Sequence, residues 1–317
     1  MDIKDFFRIR LSTIKPGEPT PFDLFIYIDG KVINYLKKGD AIADNRASAL
    51  HFKDSGESFF VSNENKEQYR EYVKNMMNSA SIPDNQKAAI LRESSIAILE
   101  DLFENPDVGS ALESSKPIIK DLLQFMDVAP DSIGNLISLS GHDFYTYNHS
   151  FDVSIYSLGL GQALGFDKKT LEELGISSLF HDVGKRNVAL DILCKKGPLD
   201  EAEWAQMRMH PQYGLKILNE HPGLSDAVKA ACYEHHESWS GGGYPQDLSG
   251  QEIHPFARIV ALTDTYDAMT TQRSYNVPMR PTDALNMMKN KLVGRYDPEM
   301  LRAMYSVLFK MEKKATG

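Results

Sequence analysis

The chain has 317 residues, 42% hydrophobic and 25% charged, which suits a globular protein of two domains, or one large one with an appendage, without disulfide staples. Its formal charge of −9 and pI near 5.5 supply no broad phosphate-neutralising surface, which excludes a nucleic-acid polymer as main partner but not a small anion held by metal ions or a few arginines. Cys194 and Cys232 form no C-x-x-C pair, MDIKDFFRIRLSTI lacks a signal-peptide core and no run approaches the ~20 apolar residues of a membrane span, so a cytoplasmic protein with reduced thiols is expected.

Residues 1–64 read as a small β-rich domain. FDLFIYIDGKVINYL alternates apolar and polar residues around Asp29-Gly30, a hairpin signal, and ALHF and SFFVS add short strand-like pieces. At Asn65 the period becomes helical. NKEQYREYVKNMM, NQKAAILRESSIAILEDLFEN and SKPIIKDLLQFM, punctuated by Pro83, Pro106 and Pro130, form a helical connector over 65–129. The N-terminal domain and this connector are the candidates to regulate the protein, to hold a protein partner or to pair two subunits. Residues 130–317 read as an all-α bundle of helices joined by loops rich in Gly and Pro. The fold class expected is therefore mainly α, with a small β-rich domain in front.

Five of the nine histidines fall in that bundle beside other ligand types: His149 in YNHSFDV, His181 with Asp182 in SSLFHDVGKRN, His210 in MRMHPQYG, and His235 and His236 in YEHHESW, with Asp264 in RIVALTDTYDAMT. Each lies at or near the end of a helical pattern, so five helices can converge on one point. Imidazole and carboxylate together suit Fe, Mn or Zn. Seven ligands exceed one tetrahedral ion but suffice for two, with Asp182 the natural bridge. Two ions ~3.5–4 Å apart can hold a hydroxide between them and clamp a phosphate, which is the chemistry of phosphate-ester hydrolysis. His142, His221 and His254 carry no such support and read as surface or packing residues. Gly241, Gly242 and Gly243 ahead of Tyr244-Pro245 read as a loop with the freedom to move over the site.

HDVGK at 181–185, HHESWSGGGYP at 235–245 and DTYDAMT at 264–270 together resemble the HD-GYP domain, a subgroup of the HD phosphohydrolases, over residues 130–317. The resemblance implies an α-helical domain with two or three metal ions, usually iron or manganese, that hydrolyses the second messenger cyclic di-GMP to pGpG or GMP. By that resemblance His149, His181, Asp182, His210, His235, His236 and Asp264 are the metal ligands. Lys185 contacts the phosphate or the nucleophile, and Tyr244 and Arg273 contact substrate. The sequence departs from the family where Tyr145 stands in place of the glutamate of three-metal members, so two ions are expected. Ser240 and Asp247 depart within the glycine loop, Arg186–Leu190 lacks the family's Pro and Asp, and Asn276 brings no charge after Arg273. These changes thin the substrate contacts. A slow enzyme, a cyclic di-GMP-binding module without turnover, and a phosphohydrolase for another nucleotide stand as alternative readings.

Overall fold

A computed structural model describes residues 3–28, 30–42, 59–104, 107–129, 136, 146–195, 197–271 and 277–315. The chain divides into two compact units, Met1–Ile118 and Ile119–Gly317. In the first, strands β1 (Phe6–Ile9), β2 (Leu24–Ile28), β3 (Lys31–Leu36) and β4 (Phe59–Ser62) form one antiparallel sheet in the order β1-β4-β2-β3. The hairpin read from the sequence is β2–β3: Ile28 pairs with Lys31, which leaves a two-residue turn, and Gly30 takes φ +77°. Asp29 lies outside the described residues. Alternation along β2 sends Leu24 and Ile26 into one core while Phe25 joins Phe6 and Phe60 on the other face. At the hairpin end the alternation stops governing burial, because Tyr27, Ile28 and Ile33 project into solvent.

Two of the helices expected as a connector pack on this sheet. In α1 (Lys66–Asn78) Tyr69, Val73 and Met76 fall on one face and enter the same core as Phe7, Phe22 and Val61. The buried Tyr69 hydroxyl meets Thr13 Oγ1 at 2.8 Å, which satisfies a polar group that burial would otherwise penalise. Helix α2 (Asp84–Glu104) packs on β1, and its buried Glu100 accepts from Arg10 at 2.8 Å. Helix α3 (Val108–Val128) starts earlier than the sequence suggests and runs through Pro117. Proline removes one donor from that ladder but does not end the helix.

The second unit is the all-α bundle. It contains α4 (Thr146–Ala163), α5 (Lys168–Leu179), α6 (Leu190–Leu193), α7 (Glu201–Met207), α8 (His210–Asn219), α9 (Asp226–Glu234), α10 (Pro255–Thr270), α11 (Pro281–Asn290) and α12 (Pro298–Ala315). Caps set the starts: Asp167 accepts from Thr170 ahead of α5, Asp200 and Glu203 form a reciprocal box ahead of α7, and Ser225 caps α9, each worth ~1 kcal/mol. Helix α10 is buried on nearly every side and anchors the core, with Ile259, Val260, Leu262 and Tyr266 packed against residues of α4, α11 and α12. Two contacts lock α4 to α10: Ser157 and Thr263 share a buried hydrogen bond at 2.8 Å, and Tyr156 meets Tyr266 edge-on at 5.0 Å.

Between Val183–Asn187, a 3-10 turn, and α8 the two backbones touch. A Cβ on Gly184 would lie 1.9 Å from the His210 carbonyl oxygen and 2.4 Å from the Gly214 nitrogen. A Cβ on Gly214 would lie 2.4 Å from the buried Cys232 Sγ of α9. Backbone cannot yield as a flexible side chain does, so Gly184→Ala is expected to destabilise the protein by about 3 kcal/mol or more. In the second unit that corresponds to a fall in Tm of ~6–12 °C, measured by calorimetry; an unchanged Tm contradicts the close approach.

Candidate metal centre

Seven side chains expected as ligands come from five places in the bundle. His149 lies in the first turn of α4; His181 and Asp182 follow the end of α5; His210 opens α8; His235 and His236 follow α9 directly. Asp264 lies in the middle of α10, not at a helix end, because α10 crosses the whole core and presents its carboxylate part-way along. The structure gathers these groups into two triads whose ligand atoms lie within 4.8 Å of one another, His149–His181–Asp182 and His210–His235–His236. Asp264 joins the first, with Oδ1 3.1 Å from His149 Nε2.

Asp182 addresses both triads with different oxygens. Its Oδ1 lies 3.3 Å from His210 Nε2 and 3.7 Å from His235 Nε2. Its Oδ2 lies 3.2 Å from His181 Nε2, 3.7 Å from His149 Nε2 and 2.5 Å from Lys185 Nζ. The imidazoles are oriented from behind. His181 Nδ1 sits 2.7 Å from the Ser178 carbonyl, His210 Nδ1 2.8 Å from that of Met207, and His235 Nδ1 2.9 Å from that of Cys232. A carbonyl only accepts, so each Nδ1 donates and each Nε2 lone pair faces the cluster. His210 Nε2 and His235 Nε2 then stand 3.3 Å apart as two acceptors, and the buried His181 Nε2 and Asp182 Oδ1 have no hydrogen-bond partner. Facing lone pairs repel unless a cation lies among them. The donor set therefore fits divalent metal.

The protonation states agree. Burial above all, then the charge of Lys185, lowers the His210 pKa to about 4 against the pull of Asp182. Burial and His210 lower His236 to about 3, and burial and His236 push His235 well below its usual value. These three are neutral near pH 7, the form that binds metal. His149 differs: burial opposes its charge, but hydrogen bonds to Asp264 and Asp267 win and raise it to about 9. Asp182 stays ionised despite burial because Lys185 and His181 stabilise its charge.

Asp267 was not among the residues expected from the sequence. Fully buried, it takes His149 Nδ1 at 2.6 Å while Thr271 Oγ1 donates to its other oxygen at 2.8 Å. The signal was present: three residues after Asp264 on one helix, it shares that face. Glu237 was missed as well. Buried beside His236, it accepts from Gln246 N at 2.6 Å and Leu248 N at 3.0 Å and so ties down the loop after Tyr244.

That loop is strapped rather than free. Trp239 N and Ser240 N donate to Arg295 O and Gly294 O at 3.0 and 2.8 Å, and Gly242 N donates to Asp247 Oδ1 at 2.5 Å. Gly241 and Gly242 adopt φ of +84° and +77°, the conformation glycine tolerates, whereas Gly243 is required by packing, since a Cβ there would lie 2.5 Å from Glu237 Cα. The side chain of Asp247 thus serves the loop itself, whereas Ser240 joins it through its backbone N–H. Tyr244 stacks on His236 with centroids 4.8 Å apart and planes at 21°, and its bond to Pro245 is cis. Burial, with Asp182 and Asp264, raises the phenol pKa well above its usual value and keeps it protonated. Tyr145, Arg273, Asn276 and His142 lie outside the described residues. His254, which reads from the sequence as a surface or packing residue, accepts from Phe256 N and caps α10.

Asp267→Asn is expected to disorder the His149 imidazole and lower metal affinity by about 10–100-fold. Metal content after dialysis against graded chelator measures this directly, and retention equal to the unmodified chain contradicts the assigned role.

A family model described as HD domain matches residues 131–300. The cyclic di-GMP phosphodiesterase PA4108 of Pseudomonas aeruginosa is 31% identical over 218 residues, covering 68% of this chain and 52% of its own length. The 3'3'-cGAMP-specific phosphodiesterase 3 of Vibrio cholerae is 29% identical over 225 residues, covering 67% of this chain and 48% of its own length. The chain therefore spans about half the length of these curated relatives. The solved structure of Bd1817, a HDG"Y"P protein from Bdellovibrio bacteriovorus, shares the fold, with a TM-score of 0.75 over 96% of this chain and 100% of that one at 21% identity. With the family model matching more than half its length and the HDVGK, HHESWSGGGYP and DTYDAMT motifs in order, the chain belongs to the HD domain family, in its HD-GYP group.

Proposed function

We propose that this chain is a metal-dependent phosphodiesterase that hydrolyses cyclic di-GMP to pGpG, with GMP as the product of a second cut, at the cluster around Asp182. The observation that carries the reading is the pair of Nε2 acceptors of His210 and His235, 3.3 Å apart with both Nδ1 atoms committed to carbonyls. Two divalent ions, iron or manganese by the family resemblance, would divide between the triads: His149, His181 and Asp264 would hold one and His210, His235 and His236 the other, with Asp182 placed to serve both. When bound, such a pair supplies Lewis acidity at a phosphate oxygen and makes water a nucleophile at neutral pH.

The remaining groups act on substrate. Lys185 brings its ammonium to the bridging carboxylate and stabilises negative charge that grows on the phosphate. Tyr244, fixed by stacking and by the strapped loop, offers a protonated hydroxyl for positioning. Arg273 is assigned to substrate from its motif position alone. The substrate named for the Pseudomonas relative supports cyclic di-GMP. The substrate named for the Vibrio relative favours 3'3'-cGAMP as a second reading. A cyclic dinucleotide substrate goes with a cytoplasmic location; among the described residues no helix is long and apolar enough to cross a membrane.

The test is chromatography of products after anaerobic incubation of the Fe(II)- or Mn(II)-loaded chain with cyclic di-GMP and, separately, 3'3'-cGAMP. The unmodified chain is expected to yield pGpG or GMP, and Asp182→Ala to lose at least about a hundredfold in rate, more than loss of an outer hydrogen bond to a ligand brings. Full activity in Asp182→Ala, or no product from a chain with two bound metals, contradicts the proposal. Faster cleavage of 3'3'-cGAMP replaces the first substrate with the second.

A further inference from the structure

Arg208 follows α7 directly and precedes His210 by two residues, so the turn that starts α8 fixes both. Its backbone N–H donates to Trp204 O at 2.9 Å, which continues α7 into that turn. Its guanidinium carbon lies 4.8 Å from the centre of the Tyr244 ring. Tyr244 in turn stacks on His236 at 4.8 Å. Tyr244 thus touches both an imidazole of the cluster and the guanidinium of Arg208, a residue that is exposed.

Nearby, Lys185 pairs with Asp182 at 2.5 Å and Arg258 with Asp297 at 2.9 Å, while Arg295 lies close enough for its charge to act on the Tyr244 phenol. Among the described residues Arg208 makes no ion pair, although the chain carries a net charge of −9. Stacking on an aromatic ring occupies one face of a guanidinium and leaves the N–H donors along its edge free. Such a group, held in place and unpaired, matches the two oxygens of a phosphate. A cyclic dinucleotide carries two phosphodiesters on opposite sides of one ring. When one enters the cluster, the other lies away from it and needs a cation that the cluster does not supply.

We infer that Arg208 is a substrate-binding residue that holds the second, uncleaved phosphate of the cyclic dinucleotide, its guanidinium aimed by Tyr244. The inference rests on the proposed cleavage of a cyclic dinucleotide at Asp182. It predicts that Arg208 acts on KM for substrates with two phosphates and far less on a diester with one.

The test compares the metal-loaded full chain with Arg208→Ala and Arg208→Lys on cyclic di-GMP and on bis(p-nitrophenyl) phosphate, which has a single phosphate. In Arg208→Ala the KM for cyclic di-GMP should rise about tenfold or more with kcat changed by less than about threefold, the size of effect of one charge-assisted contact. The ratio of kcat/KM for cyclic di-GMP to that for bis(p-nitrophenyl) phosphate should fall at least about tenfold. Arg208→Lys, which keeps the charge but loses the fork, should fall between. If the unmodified chain cleaves cyclic di-GMP and Arg208→Ala leaves that ratio unchanged, Arg208 does not hold the second phosphate while the proposed function stands. If the unmodified, metal-loaded chain does not cleave cyclic di-GMP, the proposed function fails and this inference with it.

Discussion

Two backbones meet without side chains at Gly184 and Gly214, and the cluster depends on that contact. The turn carrying Asp182 can reach the N-terminus of α8 only because Gly184 has no Cβ to strike the His210 carbonyl. Gly214, one turn further along α8, makes room for Cys232, and so brings in α9, whose C-terminal end delivers His235 and His236. One close approach thus sets the distances between the carboxylate of one triad and the imidazoles of the other. On the far side the buried contacts between α4 and α10 do the same for His149 and Asp264.

Packing these groups together creates an electrostatic problem that the fold leaves for a cation. Five imidazoles and two carboxylates converge in a region where desolvation penalises charge. The backbone carbonyls of Ser178, Met207 and Cys232 settle the tautomers, so every oriented Nε2 faces inward as an acceptor. Neutral His210, His235 and His236 beside an ionised Asp182 make a strong set of lone pairs with too few protons among them. His149 is the exception. Hydrogen bonds to Asp264 and Asp267 outweigh burial and raise its pKa to about 9, so a metal ion beside Asp264 would compete with a proton at Nε2.

Much of this was legible in the sequence, for a physical reason: metal chemistry restricts residue type, and adjacent or short-spaced ligands such as His181-Asp182 and His235-His236 sit together in any fold. The helical period and the Asp-Gly hairpin gave the mainly-α architecture with its small sheet. What escaped depends on tertiary geometry. Asp267 matters because α10 turns it toward His149, and nothing local marks it beyond its spacing from Asp264. Glu237 reads as an ordinary polar residue after two histidines until its carboxylate is seen holding Gln246 and Leu248. The glycine loop read as freedom to move, yet Gly243 is there for close packing and the loop is bonded to Gly294 and Arg295. The third helical run reads from Ser115, whereas α3 begins at Val108 and passes through Pro117.

The central claim is that the two triads are one dinuclear centre bridged by Asp182. Crystals of the chain purified anaerobically and loaded with Mn(II), measured for anomalous scattering, address it most directly. The account predicts two peaks, one among His210, His235 and His236 and one beside His149, His181 and Asp264, with one Asp182 oxygen toward each. A map with no peak, or with a single ion that leaves His210 Nε2 and His235 Nε2 facing each other across a water, would contradict it.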